Sequence, residues 1–162
     1  MNLKSKLMEF MVVHDIVPVR IRWRESASSI GRMFNDVFHM LNKGERVKLT
    51  KMMYSGGFED ADKVVATLKI KRNLHGCAIA LMGMHRLFGI KSHIAEENAN
   101  EIKIHITECM WNSKKGWTPE VCASIGCYEK GLVEGINKSI KYYCPKRRSK
   151  GDKFCELILK KS

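Results

Sequence analysis

The sequence predicts an α+β fold, a twisted antiparallel sheet packed against helices, and three observations carry that expectation. Up to Gly89 apolar residues recur at helical spacing, beyond it the period drops to two, and one more helix interrupts the strand-like part. The chain thus reads as one domain with a mainly helical half, 1–89, and a strand–strand–helix–strand–strand half, 90–162. Its 162 residues and 44% hydrophobic content suffice for one core.

Val19, Ile21 and Trp23 alternate with Arg20, Arg22 and Arg24 after Pro18, which reads as a half-exposed strand or extended arm within Val12 to Trp23. Ser26, Ser28 and Ser29 offer caps for a helix to about Leu41, with Ile30, Phe34, Val37, Phe38 and Leu41 on one face and Asn42-Lys43-Gly44 as its stop. Ser55-Gly56-Gly57 predicts a break before a helix over Glu59 to Leu68. Another helix, rich in Ala, Leu and Met, spans Leu74 to Phe88 and ends at Gly89. Ser92 to Glu97 and Glu101 to Cys109 then form a hairpin about Asn98-Ala99-Asn100. Thr118-Pro119 opens a helix to about Asn137, Thr as cap and Pro at the first helical position. Strands at Lys141 to Tyr143 and Phe154 to Leu159 close the chain.

Several function classes lack their signals. The longest apolar run, Cys77 to Met82, is far short of the roughly 18 residues a membrane helix needs. Lys4 and Lys6 resemble the start of a secretory signal, but His14, Asp15 and Arg20 follow without a long apolar core, so the expectation is a cytoplasmic protein with no membrane partner. There is no GxGxxG, GxxxxGK[ST] or GxSxG, and hence no nicotinamide, flavin or serine-hydrolase fingerprint. A net charge of +12, with Arg20 to Arg24 and Lys146-Arg147-Arg148-Ser149-Lys150, would suit a phosphate backbone, yet no nucleic-acid-binding module accompanies it.

Cys109, Cys122, Cys127, Cys144 and Cys155 crowd the last third, whereas Cys77 stands apart as core. Convergent thiolates would hold zinc, but no spacing is CxxC, and buried unligated thiols are the plainer reading. In the helix after Thr118, Val121, Ile125, Leu132 and Ile136 form the core stripe, with Ser124, Cys127, Gly131 and Gly135 on another face. Two glycines inside a helix imply close approach by a backbone, a ligand or a partner subunit. Cys122 and Cys127 point about 140° apart. Ile102, Ile104 and Ile106 share one strand face and His105, Thr107 and Cys109 the other, while Cys155 lies with Leu157 and Leu159. Cys109 and Cys155 therefore meet only if Cys109 lies past its strand or a bulge intervenes.

Cys127-x3-Gly131-x3-Gly135, Glu108-Cys109 after a strand, and the terminal Gly151-Asp152-Lys153-Phe154-Cys155 resemble the 4-vinyl reductase domain family. That resemblance implies the fold of ligand-binding domains in nitric-oxide signalling and Golgi-transport proteins, a small hydrophobic, hydrocarbon-like ligand, and a homodimer. It also implies a metal or redox role for Cys109, Cys127 and Cys155. Arg147 stands where many members carry a further cysteine, with Cys144 three residues earlier. The terminal pattern is also similar to that of aminothiazoline-carboxylate hydrolases.

The leading expectation is a stand-alone small-molecule-binding or sensory domain with zinc on Cys109, Cys127 and Cys155, joined by Cys122, Cys144, His105 or His39. A hydrolase is the alternative, with Cys127 or Cys109 as nucleophile, or a metal-bound water, and His105 or His85 as base. Nucleic-acid binding through the basic surface is the third reading.

Overall fold

The computed structural model describes residues 3–14, 16, 18–112 and 114–162. Helices α1 (Leu3–Val13), α2 (Val19–Met40), α3 (Lys43–Leu68) and α4 (Leu74–Leu87) precede a hairpin of β1 (Lys91–Glu97) and β2 (Glu101–Glu108). Helix α5 (Pro119–Ile136), strand β3 (Ile140–Lys146), a 3-10 turn at Arg148–Lys150 and strand β4 (Cys155–Lys161) complete the chain. The fold is α+β, with a four-stranded antiparallel sheet of order β1-β2-β4-β3.

The sheet's inner face follows the alternation in the sequence. Ile102, Ile104 and Ile106 of β2 stand opposite Leu159, Leu157 and Cys155 of β4, and all six are buried. Cys77, Ala78 and Leu81 of α4 and Leu132, Val133 and Ile136 of α5 share that core. Each isoleucine so buried contributes roughly 1.5–3 kcal/mol. In the β1–β2 turn, Asn98 Oδ1 accepts from the N–H groups of Asn100 and Glu101, both at 2.9 Å. Gly151, at φ 97°, closes the 3-10 turn, and Asp152 Oδ2 accepts from Arg147 N–H at 2.6 Å, which gives the Gly-Asp pair a geometric role in the β3–β4 connection.

Two expectations in the helical half are corrected. The stretch from Val19 to Trp23 is the first part of α2, not a strand or arm; Asp15 and Val17 of the longer stretch lie outside the described residues, as do Met1 and Asn2. Pro18 starts the helix at φ −55° and ψ 134°, where a missing N–H costs no helical bond, so Ser26, Ser28 and Ser29 fall inside the helix rather than at its cap. The alternation there is carried by exposed residues with no neighbouring strand: Val19 and Trp23 are 69% and 51% exposed. The chain does leave helix α2 after Met40, but Asn42 immediately opens α3 with a capping box to Glu45.

The second correction concerns Ser55-Gly56-Gly57, which lies within the continuous helix α3. A Cβ on Gly57 would collide with Tyr128 O of α5, and one on Gly131 with Tyr54 O of α3. A Cβ on Gly135 would lie 2.7 Å from both Phe58 O and Ala61 Cβ. Gly57 with Ala61, and Gly131 with Gly135, are small residues four apart on facing helices, so the two backbones come into contact. The close approach inferred from Gly131 and Gly135 is therefore made by α3.

These glycines separate into a pair with opposite expectations. Gly57→Ala or Gly131→Ala should lower stability by about 2 kcal/mol through overpacking. Gly56→Ala, whose nearest outside atom is Tyr128 Cδ2 at 4.0 Å, should be neutral or raise it by up to about 1 kcal/mol. Urea unfolding of the three variants checks the ordering.

Candidate functional site

A polar chain runs through the junction of α4, α5 and the sheet. Glu129, in the middle of α5, receives Tyr142 O–H at Oε2, 2.5 Å, and faces His85 Nε2 across Oε1 at 3.0 Å. His85 Nδ1 lies 2.8 Å from Ser92 Oγ. Glu129, His85 and Tyr142 are all buried. Burial alone would push the Glu129 carboxyl up, but hydrogen bonding and charge from His85, then Tyr142 and Arg147, hold it below the ordinary carboxylate value. The Tyr142 hydroxyl is pushed well above its ordinary value, first by burial and then by the Glu129 charge.

Local structure explains how Ser92 reaches His85. Helix α4 ends in a tight turn in which Ile90 N–H donates to His85 O at 2.8 Å and Gly89 takes φ 66°. The chain reverses there and enters β1, and Ser92 comes back beside the last turn of the helix it has just left.

Ser92 also lines a cleft of about 1000 Å³ between the start of α2 and the α4–β1 turn. Trp23, Leu87, Ile90 and Met110 supply apolar wall, and Arg24, Arg86, Lys91 and Arg148 supply positive charge. Lys91 pairs with Glu108 at 2.9 Å, and Arg148 donates to Thr107 O at 2.9 Å. The α2 wall is carried by the segment before α5. Trp111 donates its indole N–H to Ala27 O at 2.9 Å and packs on Gly31, while His39 Nε2 lies 2.7 Å from Gly116 O.

The cysteines divide differently from the expectation. Cys109 lies just past β2, while Cys155 faces the core opposite Ile106, which settles how two residues of opposite strand parity come near each other. Cys109, Cys122 and Cys155 lie close enough to feel one another's charge, and Cys144 feels that of Cys155. Cys127 faces elsewhere, into a groove of about 410 Å³ lined also by Lys130, Tyr143, Cys144 and Arg147. His105 is on the sheet's other face, 3.2 Å from Glu156 Oε2 and with its ring 4.1 Å from that of Phe154.

Among the described residues, no group of three or more His, Cys, Asp or Glu side chains is arranged to hold a metal ion. The Arg147 guanidinium instead interacts with Cys144, Cys122 and Tyr142. The thiols, with a fixed cation already among them, do not fit zinc in this arrangement. Burial pushes the thiols of Cys77 and Cys144 up to about 12 and that of Cys155 to about 11, and raises Cys109 and Cys122. A buried thiol held protonated is a poor nucleophile, which disfavours Cys109 in a hydrolase.

The sequence reading did not single out Ser92, Glu129, Tyr142 or Arg86, and it placed Arg24 only in a basic stretch suited to a phosphate backbone. For Glu129 a signal existed: it sits four residues after Ile125 and three before Leu132, on the apolar stripe of its helix. A carboxylate on a core stripe calls for buried donors.

Two outcomes follow from these environments. In native protein at pH 7, iodoacetamide should label Cys77, Cys109, Cys122, Cys144 and Cys155 far more slowly than in unfolded chain, as read by peptide mass spectrometry. The depressed Glu129 value means that its contribution to stability is fully present above the unfolded value of 4.5 and is lost as pH falls through the folded value. Glu129→Gln should lower stability at pH 7 by about 2 kcal/mol and flatten the decline below pH 4.5, measured by urea unfolding across pH.

No protein-family model matches the chain, and no curated protein matches it by sequence. Among the described residues no helix is long and apolar enough to cross a membrane. Solved structures do resemble it. One is the phenol-responsive sensory domain of the transcription activator PoxR with phenol, at TM-score 0.57 and 15% identity over 83% of this chain and 74% of that one. Another is trafficking protein particle complex subunit 3 from Naegleria fowleri, covalently bound to palmitic acid, at TM-score 0.58 and 16% identity over 88% of this chain and 96% of that one. At these identities the likeness is one of fold: this chain has the fold of ligand-binding sensory and trafficking-complex domains.

Proposed function

We propose that the protein is a cytoplasmic small-molecule-binding domain of sensory type, allied to the 4-vinyl reductase domains, whose ligand enters the cleft between α2 and the α4–β1 turn. The observation that carries the reading is the cleft itself, with Trp23, Leu87, Ile90 and Met110 in its wall and Ser92, tied to the buried His85–Glu129 pair, at its lining. Apolar wall with one anchored polar group is what a small organic ligand needs for affinity and orientation. The phenol and palmitic acid held by the two structures of like fold support the same reading.

The ligand-bound form should melt higher. At 100 times the dissociation constant, a ligand stabilises by about 2.7 kcal/mol, or roughly 5–10 °C for a chain of this size. Screening a panel of neutral aromatics, aliphatic alcohols and short organic acids by thermal shift tests this. Leu87→Asp should abolish any shift found, and a panel that moves nothing sinks the reading.

The reading extends to a homodimer through α2. Val19, Ile30, Met33, Val37 and Met40 lie along one side of that helix and are 43–83% exposed, whereas Ala27, Gly31, Asn35 and Phe38 face the body of the protein. Their spacing of three, four and seven suits a second helix of the same kind. A second copy seated on this face would cover five large apolar side chains at the centre of an interface that typically buries ~800 Å² per partner. Light scattering should give twice 18.6 kDa for the native chain and 18.6 kDa for Ile30→Glu/Met33→Glu; a monomeric native chain contradicts the proposal.

A further inference from the structure

The cleft carries more information than apolar volume. Of its four cations, Lys91 is neutralised by Glu108, and Arg148 is partly engaged by a carbonyl. Arg24 and Arg86 have no hydrogen-bond or ion-pair partner among the described residues, and they lie in the lining with Trp23. A guanidinium presents a planar fork of donors that matches a carboxylate, and two of them beside an indole suit an acid with a ring body.

The buried chain adds a second recognition element. The Glu129 carboxylate accepts from Tyr142 O–H and from His85 Nε2–H, and His85 Nδ1 lies 2.8 Å from Ser92 Oγ, so the imidazole takes one hydrogen-bonding position of that hydroxyl. The rest of the hydroxyl's hydrogen-bonding capacity is left for the cleft. A ligand hydroxyl, which both donates and accepts, meets Ser92 Oγ in either orientation of its proton.

Resting on the small-molecule reading of this cleft, we propose that its ligand is a hydroxylated aromatic carboxylate, bound by Arg24 and Arg86 at the acid end and by Ser92 Oγ at the hydroxyl. The inference predicts a ranking that neutral-ligand binding does not. 4-Hydroxybenzoate binds most tightly, benzoate about tenfold more weakly for want of the hydroxyl, and phenol at least tenfold more weakly for want of the charge. The charged ligands lose affinity as salt rises, whereas phenol does not.

Isothermal titration with these three probes, at 20 mM and 300 mM salt, tests the ranking on the native chain and two double variants. Arg24→Ala/Arg86→Ala should weaken 4-hydroxybenzoate at least tenfold and leave phenol unchanged. Both arginines are exposed and without hydrogen-bond or ion-pair partners among the described residues, so the fold is not at stake. Lys141→Ala/Lys160→Ala removes equal charge beside a different depression, on the sheet's outer face, and should leave all three affinities unchanged. Equal weakening by both variants would reduce the effect to the +12 net charge and overturn the proposal. Phenol binding as tightly as the acid would overturn it too while leaving small-molecule binding intact. So would failure of all three probes when a member of the apolar panel does bind.

Discussion

The buried carboxylate of Glu129 is the interaction on which the arrangement of this site depends. Removing an ion from water costs several kcal/mol even after relaxation, so the charge is tolerable only where donors are built around it. Here the donors come from two other elements, Tyr142 of β3 and His85 of α4, so one carboxylate on α5 joins the last helix of the first half to an edge of the sheet. The orientation of His85 follows from that pairing, the Ser92 hydroxyl follows from His85, and the polar character of the cleft follows from Ser92. Replacing any link with an apolar residue leaves the next one buried and unpaired, at a cost of about 1–3 kcal/mol per neutral group.

The α3–α5 crossing holds Glu129 at that depth. Gly57 and Gly131 let the helices meet backbone to backbone, and side-chain bonds flank the contact: Tyr54 O–H to Glu134 at 2.6 Å and Tyr128 O–H to Asp60 at 2.6 Å. With one face of α5 against α3, its core stripe is directed at the sheet and α4. Glu129 is on that stripe. The crossing and the buried carboxylate are therefore two consequences of one helix placement.

Much of the second half was legible because its signals are local. Period-two isoleucines, an Asn-containing turn, and Thr118-Pro119 at a helix start act over a few residues, and tertiary packing agrees with each. The helical half misled where local signals opposed packing. Gly56 and Gly57 read as a break, yet the close approach of α5 makes at least one of them necessary inside a helix. Val19 to Trp23 alternated like a strand because the start of α2 leaves its apolar residues exposed, and an unburied face imposes no period of 3.6. The cysteines were visible as a crowd, but which of them converge depends on Cys109 lying past β2 and on the direction of Cys127, neither of which is a spacing property. Ser92 and His85 come together through the turn at Gly89 and could not be paired from sequence, whereas Glu129 was readable as a charge on an apolar stripe.

The basic character of the chain also gains a location. Spread through the sequence, +12 pointed only to polyanions in general; in the structure two of its guanidiniums stand without hydrogen-bond or ion-pair partners among the described residues, at a cleft that the buried polar chain reaches. Ligand in this cleft should be felt by the His85–Glu129 pair through Ser92. The most direct measurement is a long-range proton–nitrogen correlation spectrum of the histidine rings during titration with the tightest ligand of the thermal-shift panel. The His85 ring signals should move with saturation while those of His93 and His105, on the sheet's outer face, stay in place. Movement of His93 and His105 with His85 unperturbed would contradict that coupling.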